Sequence, residues 1–276
     1  MPASAVETMG PAEVAAWLRK PQPSDDKYSR GVVGFATGSA MYPGAAVLGV
    51  EAALATGIGM VRYVGPESVS SLVLARRPEA IIGTGRVQAW VLGSGTDPQD
   101  TVARSRNLSA LADPVPAVVD AGALPLIVER SHEATIITPH AGELAALLGA
   151  DRAEVESQPV ESATAAARRF GVVVLLKGYT TTITDGRRVV QVAEATPWLA
   201  TAGAGDALAG ILGALVASRA ADAAVASDDL VGLGAAAAFI HGRAARLASE
   251  RNGRGPFTIL ELVHAVPAVV GQVLRT

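Results

Sequence analysis

The chain has 276 residues, half of them hydrophobic and only 18% charged, which excludes a disordered tail and leaves ample length for a packed core. Its net charge of −3 supplies no broad basic surface, so no nucleic-acid partner is expected. With no cysteine, disulfides, thiolate metal sites and cysteine nucleophiles are excluded together.

The first ten residues carry no basic start followed by an apolar run, so no signal peptide is expected. Residues 1–26 read as a lead-in segment, with a short amphipathic helix over Pro11–Lys20 and a polar, turn-rich stretch over Pro21–Arg30. Gly31–Thr37 reads as a strand ended by Gly38, and the Ala/Leu/Val-rich run from Tyr42 to Ala55 as a helix. Further strands are expected at Met60–Val64, Ala89–Leu92, Ala117–Val119, Thr135–Thr138 and Val172–Leu176. Helices are expected over Asp100–Ala112, Gly142–Leu148 and Val160–Phe170. Apolar strands alternating with helices imply βαβ units and a mainly parallel sheet covered on both faces. Ile183–Thr184 and Val189–Val192 flank Asp185-Gly186 as a hairpin, and after Ala207 the pattern is helical. No composition break divides the chain, so a single α/β domain over 1–276 is expected. The most apolar stretches, Ala207–Ala217 and Val231–Ile240, fall short of the ~20 residues that a bilayer span needs. No membrane partner and a cytoplasmic location are therefore expected.

The segment Thr201-Ala-Gly-Ala-Gly-Asp206 places two glycines and an aspartate directly before a long apolar helix. The first helical turn leaves N–H groups unpaired and its dipole favours negative charge. Glycines let a phosphate approach that backbone, so Gly203, Ala204 and Gly205 form a candidate anion hole. Asp206 there can take a proton from an attacking hydroxyl, although spacing alone favours a helix N-cap.

Five other segments carry chemistry. Gly38-Ser-Ala-Met-Tyr-Pro-Gly-Ala45-Ala46 and Leu92-Gly93-Ser-Gly95-Thr-Asp97 are small-residue turns after strands, where backbone can meet a flat ring or a phosphate. Thr138-Pro-His140-Ala-Gly-Glu143 offers an imidazole with one donor and one acceptor, and a first-turn acid. Leu175-Leu-Lys177-Gly178-Tyr179-Thr180-Thr181 ends a strand with a lysine suited to phosphate or ribose. Asp120 in Val118-Val-Asp-Ala-Gly122-Ala-Leu124 stands at a strand's C-terminal end, where α/β folds hold their ligands. Phe239 reads as core packing, Ile240 as a possible border of a base pocket, and His241 has no assigned role.

Ala-Thr-x-Gly-x-Gly-Asp-x-Leu-Ala-Gly resembles the signature of the ribokinase-like superfamily. With the other segments, over roughly 17–274, the chain resembles the NAD(P)H-hydrate dehydratases, the YjeF C-terminal or carbohydrate-kinase-like family. The resemblance implies a three-layer α/β/α sandwich with a mainly parallel central sheet. It implies Asp206 as catalytic base, Gly203 to Gly205 as anion hole, and Ala45, Gly93, Gly95, His140 and Asp206 as hydrate-binding residues. It places Lys177 to Thr181 and Gly205 on the AMP portion of ADP or ATP, and Glu143 on Mg²⁺ through water. The chain departs from the family at Ala204, where Thr or Ser is commoner, at Val91-Leu92 before Gly93, and at Gly122, where the family has a second Asp.

The implied reaction is ADP- or ATP-dependent dehydration of (6S)-NAD(P)H hydrate, by phosphorylation followed by phosphate elimination. The family commonly forms homotetramers, and often fuses this domain to an epimerase; with only ~25 residues before the fold, a stand-alone dehydratase is expected. A small-metabolite kinase and a catalytically silent nucleotide-binding or assembly protein are the competing expectations. His140 with the Tyr42–Ala46 turn weighs against the first, and retention of Asp206, Glu143 and Gly205 against the second.

Overall fold

The computed structural model describes residues 6–276. The expectations that rest on residues 1–5, including part of the lead-in segment and of the leader-free N-terminus, lie outside the described residues. In chain order the elements are β1 (Val6–Thr8), α1 (Pro11–Ala15), β2 (Val32–Ala36), α2 (Pro43–Thr56), β3 (Met60–Tyr63), α3 (Glu67–Arg76), β4 (Ile81–Ile82) and β5 (Ala89–Leu92). Next come α4 (Thr101–Leu111), β6 (Ala117–Val119), a 3-10 helix (Ala121–Val128), β7 (Thr135–Ile137), α5 (Ala141–Leu148), α6 (Arg152–Ser157), α7 (Pro159–Phe170) and β8 (Val173–Leu176). The chain closes with β9 (Thr181–Thr184), β10 (Val189–Val192), a short 3-10 turn (Pro197–Leu199), α8 (Ala204–Asp222), α9 (Ser227–Arg251) and α10 (Ile259–Val273).

The described strands form one ten-stranded sheet in the order β1-β10-β9-β8-β7-β6-β5-β2-β3-β4. Pairing is parallel except on both sides of β9, which enters through the expected hairpin. One face packs an apolar core against α2, α3, α8, α9 and α10. The other packs against α4, the long 3-10 helix and α5 to α7. This is the expected three-layer sandwich.

The central strands are buried along their whole length, as in β2, β5, β6 and β8. Continuous apolar runs therefore mark them better than alternation does. α8 is apolar all round because it lies between the sheet, α2 and α9. By length and apolarity it could cross a membrane, which corrects the expectation that the apolar run is too short, but two thirds of it is buried inside the fold. Glycines set its depth: a Cβ on Gly210 would stand 2.2 Å from the Gly49 carbonyl oxygen of α2.

The lead-in segment differs most from expectation. Its helix is only Pro11–Ala15, and the chain before it adds a parallel edge strand to β10. Val14 is fully buried and the Trp17 ring fills the space over Gly232, so this segment is part of the core. β1 and β4, of three and two exposed residues, are too short to show any period.

Candidate active site

Parallel strands deliver their C-terminal ends to one edge, and the loops leaving them build the site. β5 runs into Gly93–Asp97, β6 into Asp120, β7 into Thr138–His140, and β8 into Lys177. Lys177 N–H donates to the Pro139 carbonyl at 2.8 Å, which holds the His140 and Lys177 segments side by side.

Asp120 is the hub. It is 2% exposed, and its carboxylate accepts from Lys177 Nζ (2.9 Å), Thr138 Oγ1 (2.8 Å) and Ser94 Oγ (2.9 Å). Burial pushes its carboxyl up, but the Lys177 ammonium and the two hydroxyls outweigh burial and hold it below the usual carboxylate range. Burial likewise works against the Lys177 ammonium, and Asp120, Glu143 and Asp206 together raise it, so it stays charged. Glu143 lies 3.8 Å from Lys177 Nζ. Lys177 is thus a part-buried cation bonded to one acid and within the field of two more, and the sequence by itself reveals neither the partners nor the burial.

The Lys177 ammonium lies against the start of α8: a Cβ on Gly205 would sit 3.3 Å from Nζ. α8 begins at Gly203 with φ +90°, a left-handed conformation, and no side chain caps its first N–H groups. A Cβ on Gly203 would also meet Leu48 at 2.7 Å. This uncapped turn beside an ammonium is a ready anion site. Asp206, on the same turn, is not a cap. Burial first, then the Asp120 charge, push its carboxyl up to about 6 against the pull of Lys177. At neutral pH it is ionised and poised to accept a proton.

On the other side, Gly95 packs against Ala45, with only 2.5 Å from a would-be Gly95 Cβ to the Ala45 methyl. Gly93 and Gly95 both adopt positive φ, and Gly38 N–H donates to Ser94 O at 2.7 Å, joining the two turns. At Gly122 there is no room for the acid that the family pattern carries, since a Cβ would stand 2.1 Å from the Thr96 carbonyl oxygen. His140 caps α5: its Nδ1 accepts from Glu143 N–H (3.1 Å), while Glu143 accepts from His140 N–H (2.7 Å). Nδ1 being an acceptor, the neutral ring carries its proton on Nε2 and offers a donor.

Between these groups a cavity of about 810 Å³ opens, lined by Lys177, Gly178, Tyr179, Thr180, Thr181 and Gly205. His140 reaches its rim and His241 its inner wall, whereas Phe239 and Ile240 are core residues that do not line it. His241 is fully buried, which lowers its pKa to about 4, and its Nε2 has no hydrogen-bond partner. α6 supplies another wall through Arg152 and Glu156; Asp151 before it is the kind of residue that starts helices, a signal available in the sequence.

No three His, Asp or Glu side chains converge as a metal cage among the described residues. The acids of the site are engaged by Lys177 and by the α5 cap. This donor set fits a Mg²⁺ that keeps its water and arrives with nucleotide phosphates, with Glu143 as an outer partner.

A family model described as NAD(P)H-hydrate dehydratase matches residues 33–267. The bifunctional NAD(P)H-hydrate repair enzyme Nnr of Mycobacterium leprae is 40% identical over 92% of this chain and 54% of its own length. The ADP-dependent (S)-NAD(P)H-hydrate dehydratase of Xanthomonas campestris is 33% identical over 92% of this chain and 93% of its own. The chain spans about half the length of the first curated relatives it matches. In three dimensions it is similar to the ADP/ATP-dependent NAD(P)H-hydrate dehydratase of Bacillus subtilis co-crystallized with ATP/Mg²⁺, with a TM-score of 0.85 at 24% identity over 98% and 100% of the two chains. The architecture is ribokinase-like, and the chain belongs to the NAD(P)H-hydrate dehydratase family.

Proposed function

We propose that the chain dehydrates (6S)-NAD(P)H hydrate to NAD(P)H at the expense of ADP, with ATP as an alternative phosphate donor. The observation that carries this is Asp206 on the uncapped first turn of α8, whose start lies against the part-buried Lys177 and next to a large cavity. Nucleotide along Lys177 to Thr181 brings its terminal phosphate to Gly203–Gly205. Hydrate lies over Ala45, Gly93 and Gly95, where His140 Nε2–H meets an acceptor such as the ring carboxamide oxygen.

Asp206 takes the proton of the ring hydroxyl as that oxygen attacks phosphorus and the bond to the nucleotide breaks. Helix N–H groups and Lys177 stabilise the charge that develops. The ring nitrogen's lone pair then expels phosphate, and loss of a proton from the neighbouring carbon restores NAD(P)H. A Mg²⁺ held through water at Glu143 neutralises phosphate charge when bound. The substrate itself drives the second step, which is how a kinase fold yields a lyase. We further propose a homotetramer; Leu72, Leu74, Ile81 and Ile82 are exposed apolar residues available for contacts between copies.

The test is incubation with NADH hydrate and ADP while near-ultraviolet absorbance is followed. Return of NADH supports the reading. A stable phosphorylated vitamin precursor or sugar would identify a metabolite kinase instead, and neither result would leave a silent nucleotide-binding protein.

A further inference from the structure

A second cavity, of about 610 Å³, lies between α4 and the sheet, apart from the nucleotide cavity. Trp90 of β5 supplies its floor. Arg62 on β3, Gly34 on β2 and Trp90 on β5 are register partners, so they share a face. A Cβ on Gly34 would stand 2.4 Å from the Trp90 ring, so only glycine lets the indole lie there. Trp90 is tied down by its Nε1–H, which donates to Asp113 at 2.8 Å.

The wall is α4. Thr101, Ser105 and Ser109 repeat every fourth residue, form one stripe and all line the cavity, over about 12 Å at 1.5 Å per residue. The guanidinium of Arg62 lies against Gly85 on the far rim and donates to Thr84 O at 3.3 Å, while its Nε is buried without a partner. Of the two arginines, Arg106 lines the cavity, together with Asp113, and Arg62 stands behind its Gly85 rim. In a chain of net charge −3, two arginines, a hydroxyl stripe and an indole floor suit a ligand with both a ring and a phosphate.

Two residues of its lining are chain neighbours of the turns assigned to the hydrate. Ala36, which lines it, leads into Thr37–Gly38, and Thr101 follows the Gly93–Asp97 turn. Tyr63 Oη donates to Thr37 O at 2.8 Å.

We propose that this groove holds the far nucleoside half of the dinucleotide substrate, with Arg62 and Arg106 directed at the phosphate on its ribose, so that NADPH hydrate is preferred over NADH hydrate. This rests on the dehydratase reading of the neighbouring site. A charge-assisted contact of this kind predicts about a tenfold preference or more.

The experiment is calorimetric titration of the whole protein with NADP⁺ and with NAD⁺, stable probes with the same far halves, in saturating ADP. Wild type should bind NADP⁺ about tenfold more tightly, and Arg106→Gln and Arg62→Gln should each shrink that ratio. Ser109→Trp, on the exposed stripe, should weaken both dinucleotides by filling the groove, with ADP titration as the folding check. Equal affinities in wild type, or full affinity in Ser109→Trp, would overturn the proposal. Failure of the dehydratase reading would show separately, as no NADH regained from hydrate and ADP while the binding ratio persists.

Discussion

Two helices point their N-termini into the same site, and they are finished differently. α5 is closed: His140 takes the Glu143 N–H and the Glu143 carboxylate takes the His140 N–H, so the turn already has its own anion. α8 is open: its N-cap is a left-handed glycine, no side chain caps it, and an ammonium stands beside it. Under the proposed function, the same backbone geometry serves recognition in one case and phosphate chemistry in the other. What separates them is whether the sequence supplies its own acceptor or leaves room for a foreign one.

The comparison breaks most sharply at Asp206. Asp206→Asn should lower NADH recovery by about two to four orders of magnitude in a stopped assay, the range for loss of a general base. The same change should raise stability. Because the folded carboxyl is pushed up to about 6 from 3.8, the folded state binds the proton more tightly, and stability falls as pH rises through that window. Removing the charge should therefore stabilise the fold at neutral pH by on the order of 1–3 kcal/mol, seen as a higher Tm above pH 6 and no gain below pH 4. A variant both active and no more stable would refute the placement of the base.

Next in size is the hub. Asp120→Ala removes the bonded partner of the part-buried Lys177 ammonium and should cost roughly 1.5–3 kcal/mol in urea unfolding. Adding Lys177→Met should recover part of that loss but none of the activity, because the open helix then lacks its cation. At the open helix itself, Gly203→Ala combines a left-handed backbone with a contact at Leu48. It should cost about 1–2 kcal/mol for the backbone alone, and raise the KM for ADP.

Smaller effects belong to the closed helix. His140→Ala removes the cap and should cost about 1 kcal/mol, while raising the KM for hydrate with the KM for ADP little changed. The pH profile tests both helices together. Activity should fall below about pH 6 as Asp206 takes up a proton. His241, depressed to about 4 by burial, adds stability that is fully present above pH 6.5 and lost as pH falls toward 4. His241→Phe should flatten that acid loss in thermal melts.

Most central strands and the helices over Asp100–Ala112, Gly142–Leu148 and Val160–Phe170 were legible from the chain, because buried apolar runs and capping residues are local signals. So were the glycines before Asp206 and the order of the site segments, which carried the family resemblance. Edge strands β1 and β4 were not legible, since a few exposed residues gain their strand character only from a neighbour. α3 and α6 likewise passed without notice.

By itself, then, the sequence determined the layer architecture, the turns that line the site and the candidate base. Only the tertiary structure decided the ionic logic. Asp120, Lys177 and Asp206 come from three separate stretches, and their charges act on one another only once β6 and β8 set Asp120 2.9 Å from Lys177 and α8 brings Asp206 into the same largely buried setting. There, low polarity makes a neighbour's charge count for far more than it does along the chain.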